Sequence, residues 1–341
     1  MLIYHFAREM GWGKITKTRV HLLRYLFAIV ATSLAHAKEQ SVDITFVGDV
    51  MVAETPGELI ERSSDPLANV ARFLGKNRLR IANLECVVAT TGTAEIKPFT
   101  FRAHPRTIPY LQRYFDGVSV ANNHSGDFGK AALAEQFDLL DASHFPYFGG
   151  GRDLAAAHEP WIVERDGLRI ALLGYVEFKP RSFEASATRP GVAWSGEDEQ
   201  VLRDIRDARE KHHADIVIPF LHWGWEDEGY PSERQRVFAR RMIDAGASMV
   251  VGSHPHVTQG AESYQGKPIV YSLGNFLFNG FDTEATLTGW MLDVRIGKRG
   301  VEHWRTRVVK LDAQGVPTPE DMVTSPCGDS KSDEVRACSG K

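Results

Sequence analysis

Apolar and polar residues alternate along the chain with two periods, and together these predict an α/β fold. From residue 42 onward, short runs rich in Val, Ile and Leu come between longer stretches in which apolar residues recur every three or four positions. The first pattern is typical of buried strands and the second of amphipathic helices. The predicted strands are 42–47, 80–82, 117–120, 161–164, 168–174, 215–221, 248–251 and 269–273, and the predicted helices are 66–74, 106–115, 130–143, 197–212 and 232–245.

Turn signals add antiparallel strands to this pattern. Asp166-Gly167 separates two strand-like runs and is the strongest hairpin signal, and Gly300 separates the runs 290–296 and 301–311. We find no internal repeat and no linker before residue 312. The pattern predicts one folded domain within residues 38–312, followed by a flexible polar tail over 313–341.

The first 37 residues differ from the rest and have the pattern of a signal peptide. Basic residues precede an apolar run at 25–34, which is followed by Ala35-His36-Ala37. This order is that of secretory signals, and a run of about ten apolar residues is too short for a bilayer core, which needs about 20. We expect cleavage before Lys38 and a periplasmic or extracellular location. An uncleaved membrane anchor and a core helix are the alternatives.

Composition and charge narrow the class of protein. Of 341 residues, 43% are hydrophobic and 25% are charged, which is typical of folded soluble proteins. Beyond residue 37 the chain carries 35 Lys and Arg against 43 Asp and Glu, a formal charge of −8. Because an acidic chain offers no broad basic surface for phosphates, we expect no nucleic-acid partner.

Three cysteines follow the predicted signal peptide. Cys86 comes directly after an apolar strand with no histidine nearby in sequence, which favours a buried thiol over a nucleophile. Cys327 and Cys338 lie in the polar tail, where an exported chain can close a small disulfide loop. The sequence leaves open whether these two cysteines pair.

Polar residues of the metal-binding types follow six predicted strands. In open α/β sheets the carboxyl ends of the strands line the ligand crevice, so we expect these side chains to lie close together. The residues are Asp49, Glu85, Asn122, Asn123, His124, His222, His254, His256 and Asn275.

Each of these residues also has an ordinary explanation. Asp49 is typical of a turn or a helix cap, Asn123 of a cap, and His222 of a packed core histidine. His254-Pro255-His256 is the strongest element, because a Pro-stiffened loop offers two imidazoles two residues apart. Taken together, carboxylates, an amide and imidazoles at strand ends predict a hydrolytic site with two divalent ions ~3.5–4 Å apart.

A set of motifs along residues 43 to about 281 carries a family resemblance. The motifs are Phe46-Val-Gly-Asp49, Ala82-Asn-Leu-Glu85, Phe101-Arg-Ala103, Ser119-Val-Ala-Asn-Asn-His124, Ala171-Leu-Leu-Gly-Tyr175, Leu221-His-Trp-Gly224, Gly252-Ser-His-Pro-His256 and Tyr271-Ser-Leu-Gly-Asn-Phe276. With them the chain resembles the CapA-type poly-γ-glutamate capsule synthesis proteins, a branch of the calcineurin-like metallophosphoesterase superfamily. The resemblance implies an α/β sandwich of two mixed β-sheets flanked by helices.

The resemblance also implies roles for the strand-end residues. One or two divalent ions of the Mn, Fe or Zn type are implied as cofactors, with Glu85 as the bridging ligand. His124 is implied as the acid that protonates a leaving oxygen or orients the substrate. The implied ligands are Asn123, His222 and His254 for one ion, and Asp49 and His256 for the other.

One position departs from the superfamily pattern. Most members carry a histidine two residues after the first aspartate, and Met51 occupies that place here. A thioether is a poor ligand for hard or borderline ions, so we expect the ion held by Asp49 and His256 to bind more weakly. The bridging aspartate of the superfamily is also replaced, by the longer Glu85.

Four further residues are candidates for substrate binding or ligand orientation. Arg102 can bind a carboxylate or phosphate, or form a surface ion pair. Trp223, together with Trp225 and Tyr230, can line a polymer path or pack in the core. Glu226 and Asn275 lie on the ligand loops and can orient imidazoles or form ordinary loop hydrogen bonds.

These observations support three hypotheses of function. The first is an exported, metal-binding, hydrolase-like protein of capsule or poly-γ-glutamate synthesis or export. The second is a periplasmic metal-dependent phosphoesterase, and the third is a non-catalytic polymer-binding assembly subunit. The expected partners are an anionic polymer or phosphoester substrate and membrane-bound synthesis or export machinery.

Overall fold

The computed structural model describes residues 40–178 and 181–339. The predicted signal peptide and its cleavage site lie outside the described residues. Among the described residues, no helix is long and apolar enough to cross a membrane.

Strands dominate the described chain, and six helices come between them. The strands in chain order are β1 (Ser41–Val50), β2 (Leu79–Leu84), β3 (Val87–Val88), β4 (Arg102–Ala103), β5 (Gly117–Ser119), β6 (Tyr147–Phe148), β7 (Gly150–Gly151), β8 (Trp161–Arg165), β9 (Leu168–Val176), β10 (Gly191–Val192), β11 (Ile216–His222), β12 (Val250–Ser253), β13 (Ala261–Tyr264), β14 (Lys267–Val270), β15 (Asn275–Leu277), β16 (Thr288–Gly297), β17 (Gly300–Leu311), β18 (Pro317–Pro319), β19 (Thr324–Asp329) and β20 (Arg336–Ser339). The helices are α1 (Glu54–Glu61), α2 (Ile108–Tyr114), α3 (Gly129–Ala142), α4 (Leu154–His158), α5 (Asp198–Glu210) and α6 (Glu233–Asp244), with 3₁₀ turns at Pro105–Thr107 and Arg181–Phe183.

Two mixed sheets contain most of the strands. The first has ten strands in the order β20-β19-β17-β16-β1-β2-β5-β6, with β15 also paired to β1 and β18 to β17. The second has six strands in the order β13-β14-β12-β11-β9-β8. Strands β1, β2, β5 and β6 of the first sheet are parallel, as are β9, β11, β12 and β14 of the second. Hairpins such as β8–β9 and β16–β17 add antiparallel pairs. Both predicted hairpins therefore form.

Side-chain alternation along the strands builds a layered core. Ile44 and Phe46 of β1 pack in the cluster that also contains Ile170 and Leu172 of β9, so this cluster lies between the sheets. Val47 points to the opposite face of the first sheet, because successive residues of a strand alternate between faces. There it joins the cluster that the first sheet forms with α2 and α3.

A third cluster covers the outer face of the second sheet. It combines side chains of β9, β11 and β12 with Ile205 of α5 and with Phe238 and Met242 of α6. The two sheets are thus packed face to face with helices on both outer faces. This confirms the predicted α/β sandwich of two mixed β-sheets flanked by helices.

Secondary structure differs from the prediction in two helical regions. Residues 66–74 form consecutive turns instead of a helix, although Leu67, Val70 and Leu74 are buried as the spacing requires. Their backbone bonds run mostly three residues back, as in Val70 N–H to Leu67 O. The spacing of apolar side chains predicts which residues are buried. It does not distinguish backbone hydrogen bonds that run three residues back, as in 3₁₀ turns, from those that run four residues back, as in an α-helix. Helices α1 and α4 were not predicted, because both are short.

The structure also differs from the prediction of a flexible tail after residue 312. Strand β18 pairs with β17, and β19 pairs with β17 and with β20. Cys327 and Cys338 form a disulfide that joins β19 to β20. Backbone hydrogen bonds to an open sheet edge do not depend on apolar side chains, so the polar composition of this segment concealed its strands.

Candidate functional site

The first sheet supplies the oxygen ligands at the carboxyl ends of its central strands. Asp49 near the end of β1 lies opposite Asn83 of β2 on one side and Asn275 of β15 on the other. Glu85 follows β2 directly, and its backbone N–H donates to the carbonyl oxygen of Val50 at 2.9 Å. Asp49 and Glu85 are fully buried. This pairing holds two carboxylates side by side at one edge of the sheet.

The second sheet supplies the imidazoles. His222 ends β11 in register with Ser253 of β12, and His254 and His256 follow β12. His254 has a φ of 101° and His256 a φ of 58°, in the left-handed region that residues with a side chain rarely occupy. Non-glycine residues in such conformations cluster at ligand-binding sites, where the surrounding structure holds the strain.

One group of potential ligands consists of Glu85, His222 and His254. Their ligand atoms all lie within 4.8 Å of one another. His222 Nε2 is 3.5 Å from Glu85 Oε1 and 3.0 Å from His254 Nδ1. Asn123 Oδ1 lies 2.7 Å from the same His222 nitrogen. The structure therefore brings all four residues implied for the first ion to one place.

A second group consists of Asp49, Glu85 and His256, so the two groups share Glu85. His256 Nδ1 is 3.6 Å from Asp49 Oδ2, and His256 Nε2 is 3.7 Å from Glu85 Oε1. Asn275 Oδ1 lies 2.8 Å from His256 Nδ1. Because the amide nitrogen of Asn275 already donates to the carbonyl oxygens of His256 and Thr286, its oxygen must accept from His256 Nδ1–H. That bond leaves Nε2 of His256 as the free ligand atom.

Unpartnered buried atoms show that this donor set fits a divalent ion. Glu85 Oε1 and His254 Nε2 are buried without a hydrogen-bond partner. Orphaned polar atoms are rare in protein interiors, and a bound ion is one group that would pair both of these. Three imidazoles, those of His222, His256 and His124, place a nitrogen 3.5, 3.7 and 4.0 Å from that one oxygen of Glu85. Carboxylate oxygens and imidazoles together suit Mn, Fe and Zn.

Burial sets the protonation of these groups. Burial, reinforced by the nearby charge of Asp49, raises the pKa of Glu85 well above its usual range. Burial, with the neighbouring imidazoles, lowers the pKa of His222 and of His254 well below their usual range. Neutral imidazoles are the form that binds metals, and a bound cation would compensate two adjacent carboxylates.

His124 belongs to a hydrogen-bonded network that the sequence analysis did not identify. Its Nδ1–H donates to Asp127 Oδ2 at 2.7 Å, and Asp127 also accepts from the backbone N–H of Phe101 and pairs with Lys97. Burial lowers the pKa of His124 in spite of the Asp127 carboxylate. The three-residue spacing of His124 and Asp127 on one turn was the available signal.

Asn83 is a second residue that the sequence analysis missed. Its amide nitrogen donates to Asp49 Oδ1 at 2.8 Å and lies 3.4 Å from Glu85 Oε2. Its amide oxygen accepts from Asn122 Nδ2 at 3.0 Å. Asn83 therefore fixes the orientation of both carboxylates and links them to the loop that carries Asn123.

Phenylalanine rings cover the imidazoles. Phe101 lies 4.5 Å from the His124 ring and Phe178 lies 5.0 Å from the His254 ring, centroid to centroid. Two further rings, Phe278 and Phe281, lie 5.1 and 4.8 Å from His256. These apolar neighbours reduce the access of water to the site, which strengthens electrostatic interactions within it.

The predicted substrate-binding role of Trp223 is corrected by the structure. Trp223 is fully buried on the helix-facing side of the second sheet, where its ring stacks on Tyr271 and contacts Phe238. Its indole N–H donates to the carbonyl oxygen of Tyr271 at 2.9 Å. Because His222 faces the site, the next side chain points to the opposite face. Trp225 and Tyr230 are exposed aromatic residues of this loop.

The other three secondary candidates lie in different surroundings. Arg102 is exposed, and its guanidinium donates to the carbonyl oxygens of Thr91 and Gly92. Glu226 is exposed on the loop after β11, where its charge contributes to the raised pKa of Glu85. Asn275 contacts His256 directly and is the orienting residue that its position predicted.

Met51 lies within the apolar core rather than at the ligand groups. Its side chain is fully buried in the cluster between the first sheet and its helices, and its sulfur accepts from the backbone N–H of Ala53 at 3.2 Å. The sulfur is therefore engaged in a local turn. Among the described His, Cys, Asp and Glu residues, none replaces the absent histidine in the group of Asp49, Glu85 and His256.

Comparison with known proteins places the chain among capsule synthesis proteins. The family model for the bacterial capsule synthesis protein PGA_cap matches residues 43–280. The PGA biosynthesis protein CapA of Bacillus subtilis is 37% identical over 211 residues, which are 61% of this chain and 54% of that protein. The capsule biosynthesis protein CapA of Bacillus anthracis is 28% identical over 253 residues, 72% of this chain and 61% of that protein. The chain thus spans little more than half the length of these relatives.

A solved structure with a similar arrangement is that of a hypothetical protein from Thermus thermophilus. It is 17% identical to this chain and gives a TM-score of 0.46. The match covers 82% of this chain and 98% of that protein.

Proposed function

The chain belongs to the bacterial capsule synthesis protein family, and from this premise we propose that it is an exported, metal-dependent hydrolase of poly-γ-glutamate synthesis. The observation that carries the proposal is the pair of ligand groups that share Glu85. Two groups with one bridging carboxylate are the arrangement that binds two adjacent divalent ions for hydrolysis. The unpartnered Glu85 Oε1 and His254 Nε2 support the same arrangement.

The residues of the chain have distinct tasks in this proposal. When bound, the ions supply Lewis acidity and activate water at neutral pH. Asn123, His222 and His254 hold the first ion, and Asp49 and His256 hold the second. Asn83 and Asn275 orient these ligands through the hydrogen bonds described above.

His124 is proposed to move the proton. Its Nδ1–H is fixed by Asp127, so Nε2 is the atom that exchanges a proton, and it lies 4.0 Å from Glu85 Oε1. A histidine oriented by a carboxylate and adjacent to the reacting centre is the usual arrangement for general acid–base catalysis. The Phe101 ring beside it limits solvent exchange.

The substrate and the location are part of the proposal. The family resemblance and the name of the Bacillus subtilis relative, a PGA biosynthesis protein, support a γ-linked glutamate chain as the substrate. The charged, apolar and Ala-x-Ala segments within residues 1–37 support export to the periplasm or the cell surface. Membrane-bound synthesis or export machinery is the proposed partner.

Metal analysis and hydrolysis assays test the proposal. The purified chain is analysed for Mn, Fe and Zn by mass spectrometry, and poly-γ-glutamate and p-nitrophenyl phosphate are each incubated with native and chelator-treated protein. We expect the native protein to shorten the poly-γ-glutamate polymer, and we expect chelation and His256→Ala each to abolish this activity. His303→Ala, at an exposed position of β17, should leave it unchanged. Cleavage of the aryl phosphate alone would indicate a phosphoesterase instead. Polymer binding that survives chelation, without cleavage, would indicate an assembly subunit.

A further inference from the structure

We propose that a cavity beside Asn123 binds one carboxylate-bearing unit of the substrate chain, and that Lys97 is the residue that recognises the carboxylate. This inference rests on the proposed function, because it assigns the substrate unit next to the same site. Lys97 belongs to no motif of the family resemblance and was not a candidate in the sequence analysis.

The cavity has the size of a single residue. Its volume is about 210 Å³. A water molecule takes about 30 Å³ of liquid volume, so the cavity corresponds to about seven waters. Pockets for drug-sized ligands, a class that includes nucleosides, measure about 300–1,000 Å³. The cavity therefore has room for one amino-acid unit, and a larger cavity of about 650 Å³ adjoins it at Phe178, Arg181 and Trp194.

The lining of the cavity is apolar along its walls and polar beside the metal groups. Val176, Phe178, Phe183 and Val192 form apolar walls, and Lys97 and Asn123 are polar lining residues. The methylene groups of a glutamyl unit match such walls, and its carboxylate matches an ammonium group. Asn123 also contacts His222 of the first ligand group, so a unit held here lies beside the reacting centre.

The hydrogen bonds of Lys97 leave it one free donor. Its ammonium group pairs with Asp127 and donates to the carbonyl oxygen of Asn123 at 3.0 Å. It also lies 3.5 Å from His124 Nδ1, but that nitrogen donates its own hydrogen to Asp127 and is no acceptor. An ammonium group has three N–H donors, so one is available to a ligand. The side chain is 25% exposed, which gives a ligand access to it.

The other charged residues of the cavity do not compete for this task. Arg181 lines the cavity too, but its guanidinium already bridges Glu184 at 2.6 Å and Glu197 at 3.1 Å. Glu95 is exposed to solvent. Lys97 is thus the cation of the cavity that contacts Asn123 beside the ligand groups, whereas the charge of Arg181 is paired with two carboxylates.

Binding measurements with matched ligands test this assignment. A γ-linked glutamate pentamer, the same pentamer with its side carboxylates amidated, and AMP are titrated calorimetrically into the native protein, Lys97→Met, Lys97→Arg and Lys211→Met. Lys211 is an exposed lysine paired with Asp207 and serves as the matched control. Metal content and the thermal midpoint are recorded for each variant, because Lys97 also pairs with buried Asp127.

We expect the native protein to prefer the glutamate pentamer over its amidated form by about tenfold or more, the usual effect of a charged hydrogen bond. The preference should fall to within about twofold in Lys97→Met, persist in Lys211→Met and return in part in Lys97→Arg, with unchanged metal content throughout. AMP should bind more weakly than the pentamer.

Three results would overturn the assignment: no pentamer binding to the native protein, a preference that Lys97→Met leaves intact, or tighter binding of AMP. Ligand preference and hydrolysis are separate readouts. A preference that depends on Lys97 without any cleavage would sustain this subsite and refute the hydrolase proposal. Cleavage without such a preference would refute this subsite and sustain the hydrolase proposal.

Discussion

Removing the amide of Asn275 should weaken one metal site and spare the other. Asn275 is fully buried, and its oxygen accepts the hydrogen of His256 Nδ1 at 2.8 Å. Its amide nitrogen donates to the carbonyl oxygens of His256 at 3.3 Å and of Thr286 at 3.0 Å. In Asn275→Ala, His256 Nδ1 loses the hydrogen-bond acceptor that fixes its tautomer and helps to orient its ring. The group formed by Glu85, His222 and His254 has no contact with this amide.

The size of the effect follows from these bonds. Loss of an outer partner of a metal-bound histidine lowers metal affinity by about 10- to 100-fold, which is about 1.4–2.8 kcal/mol. The substitution also leaves up to three buried polar groups unpaired, at about 1–3 kcal/mol each when water cannot reach them. Because the cavity left by the amide admits some water, we expect a loss of about 2–4 kcal/mol in the free energy of unfolding.

Titration calorimetry of Mn²⁺ and Zn²⁺ into chelator-treated protein measures both sites. Asn69→Ala is the control, because the amide of Asn69 is exposed and reaches only the hydroxyl of Thr318. Ser253→Ala is the complementary variant. Ser253 contacts His222 Nδ1 at 3.1 Å, so its replacement should weaken the site of Glu85, His222 and His254. Equal losses at both sites in Asn275→Ala, or unchanged affinities, would refute the assignment of His256 to a separate ion.

Three further predictions concern residues outside the two ligand groups. Met51→His should lower the thermal midpoint in a calorimetric scan, because it buries an unpaired imidazole in the apolar core; an unchanged midpoint would contradict this placement of the side chain. Gly48→Ala should abolish folding as seen by circular dichroism, because a Cβ would lie 1.8 Å from the carbonyl oxygen of Gly274. Burial raises the pKa of Asp65, but hydrogen bonds from two tyrosine hydroxyls and the charge of Arg113 outweigh it and lower the pKa overall. Because the pKa of Asp65 is lower in the folded state than its value of ~3.9 in the unfolded state, its carboxylate stabilises the fold above pH ~3.9, and this stabilisation is lost as the pH falls through the folded-state pKa. Urea unfolding should therefore show that Asp65→Asn is less stable than the native protein at pH 7 and that the difference is much smaller near pH 2.

The strand-end residues were predictable because of how parallel strands are arranged. Polar residues that follow apolar strands collect at one edge of a sheet, and β1, β2 and β5 are parallel neighbours in the first sheet, as β9, β11 and β12 are in the second. The sequence therefore indicated Asp49, Glu85, His222, His254 and His256 without any knowledge of which sheet each strand joins.

Residues outside the strand ends were harder to predict. Lys97 lies in an irregular loop, and only tertiary contacts bring it to Asp127. Asn83 lies within β2, where a polar residue among apolar neighbours gives no indication of its partners. Trp223 was misjudged for a reason that the sequence did contain. Two-residue alternation along β11 places it on the face opposite to His222, against Phe238.

The two sheets contribute different chemistry, and the site exists only where they meet. Asp49, Glu85 and Asn123 come from the first sheet, whereas His222 and the two histidines after β12 come from the second. Each ligand group contains members of both sheets, and Glu85 is the member that both groups share. An ion bound in either group therefore links the sheets. The first sheet supplies the carboxylates, and the second supplies imidazoles whose pKa values are lowered by burial, so the two kinds of ligand meet where the sheets pack. The same packing that forms the core thus brings together the two kinds of ligand that the proposed metal site needs.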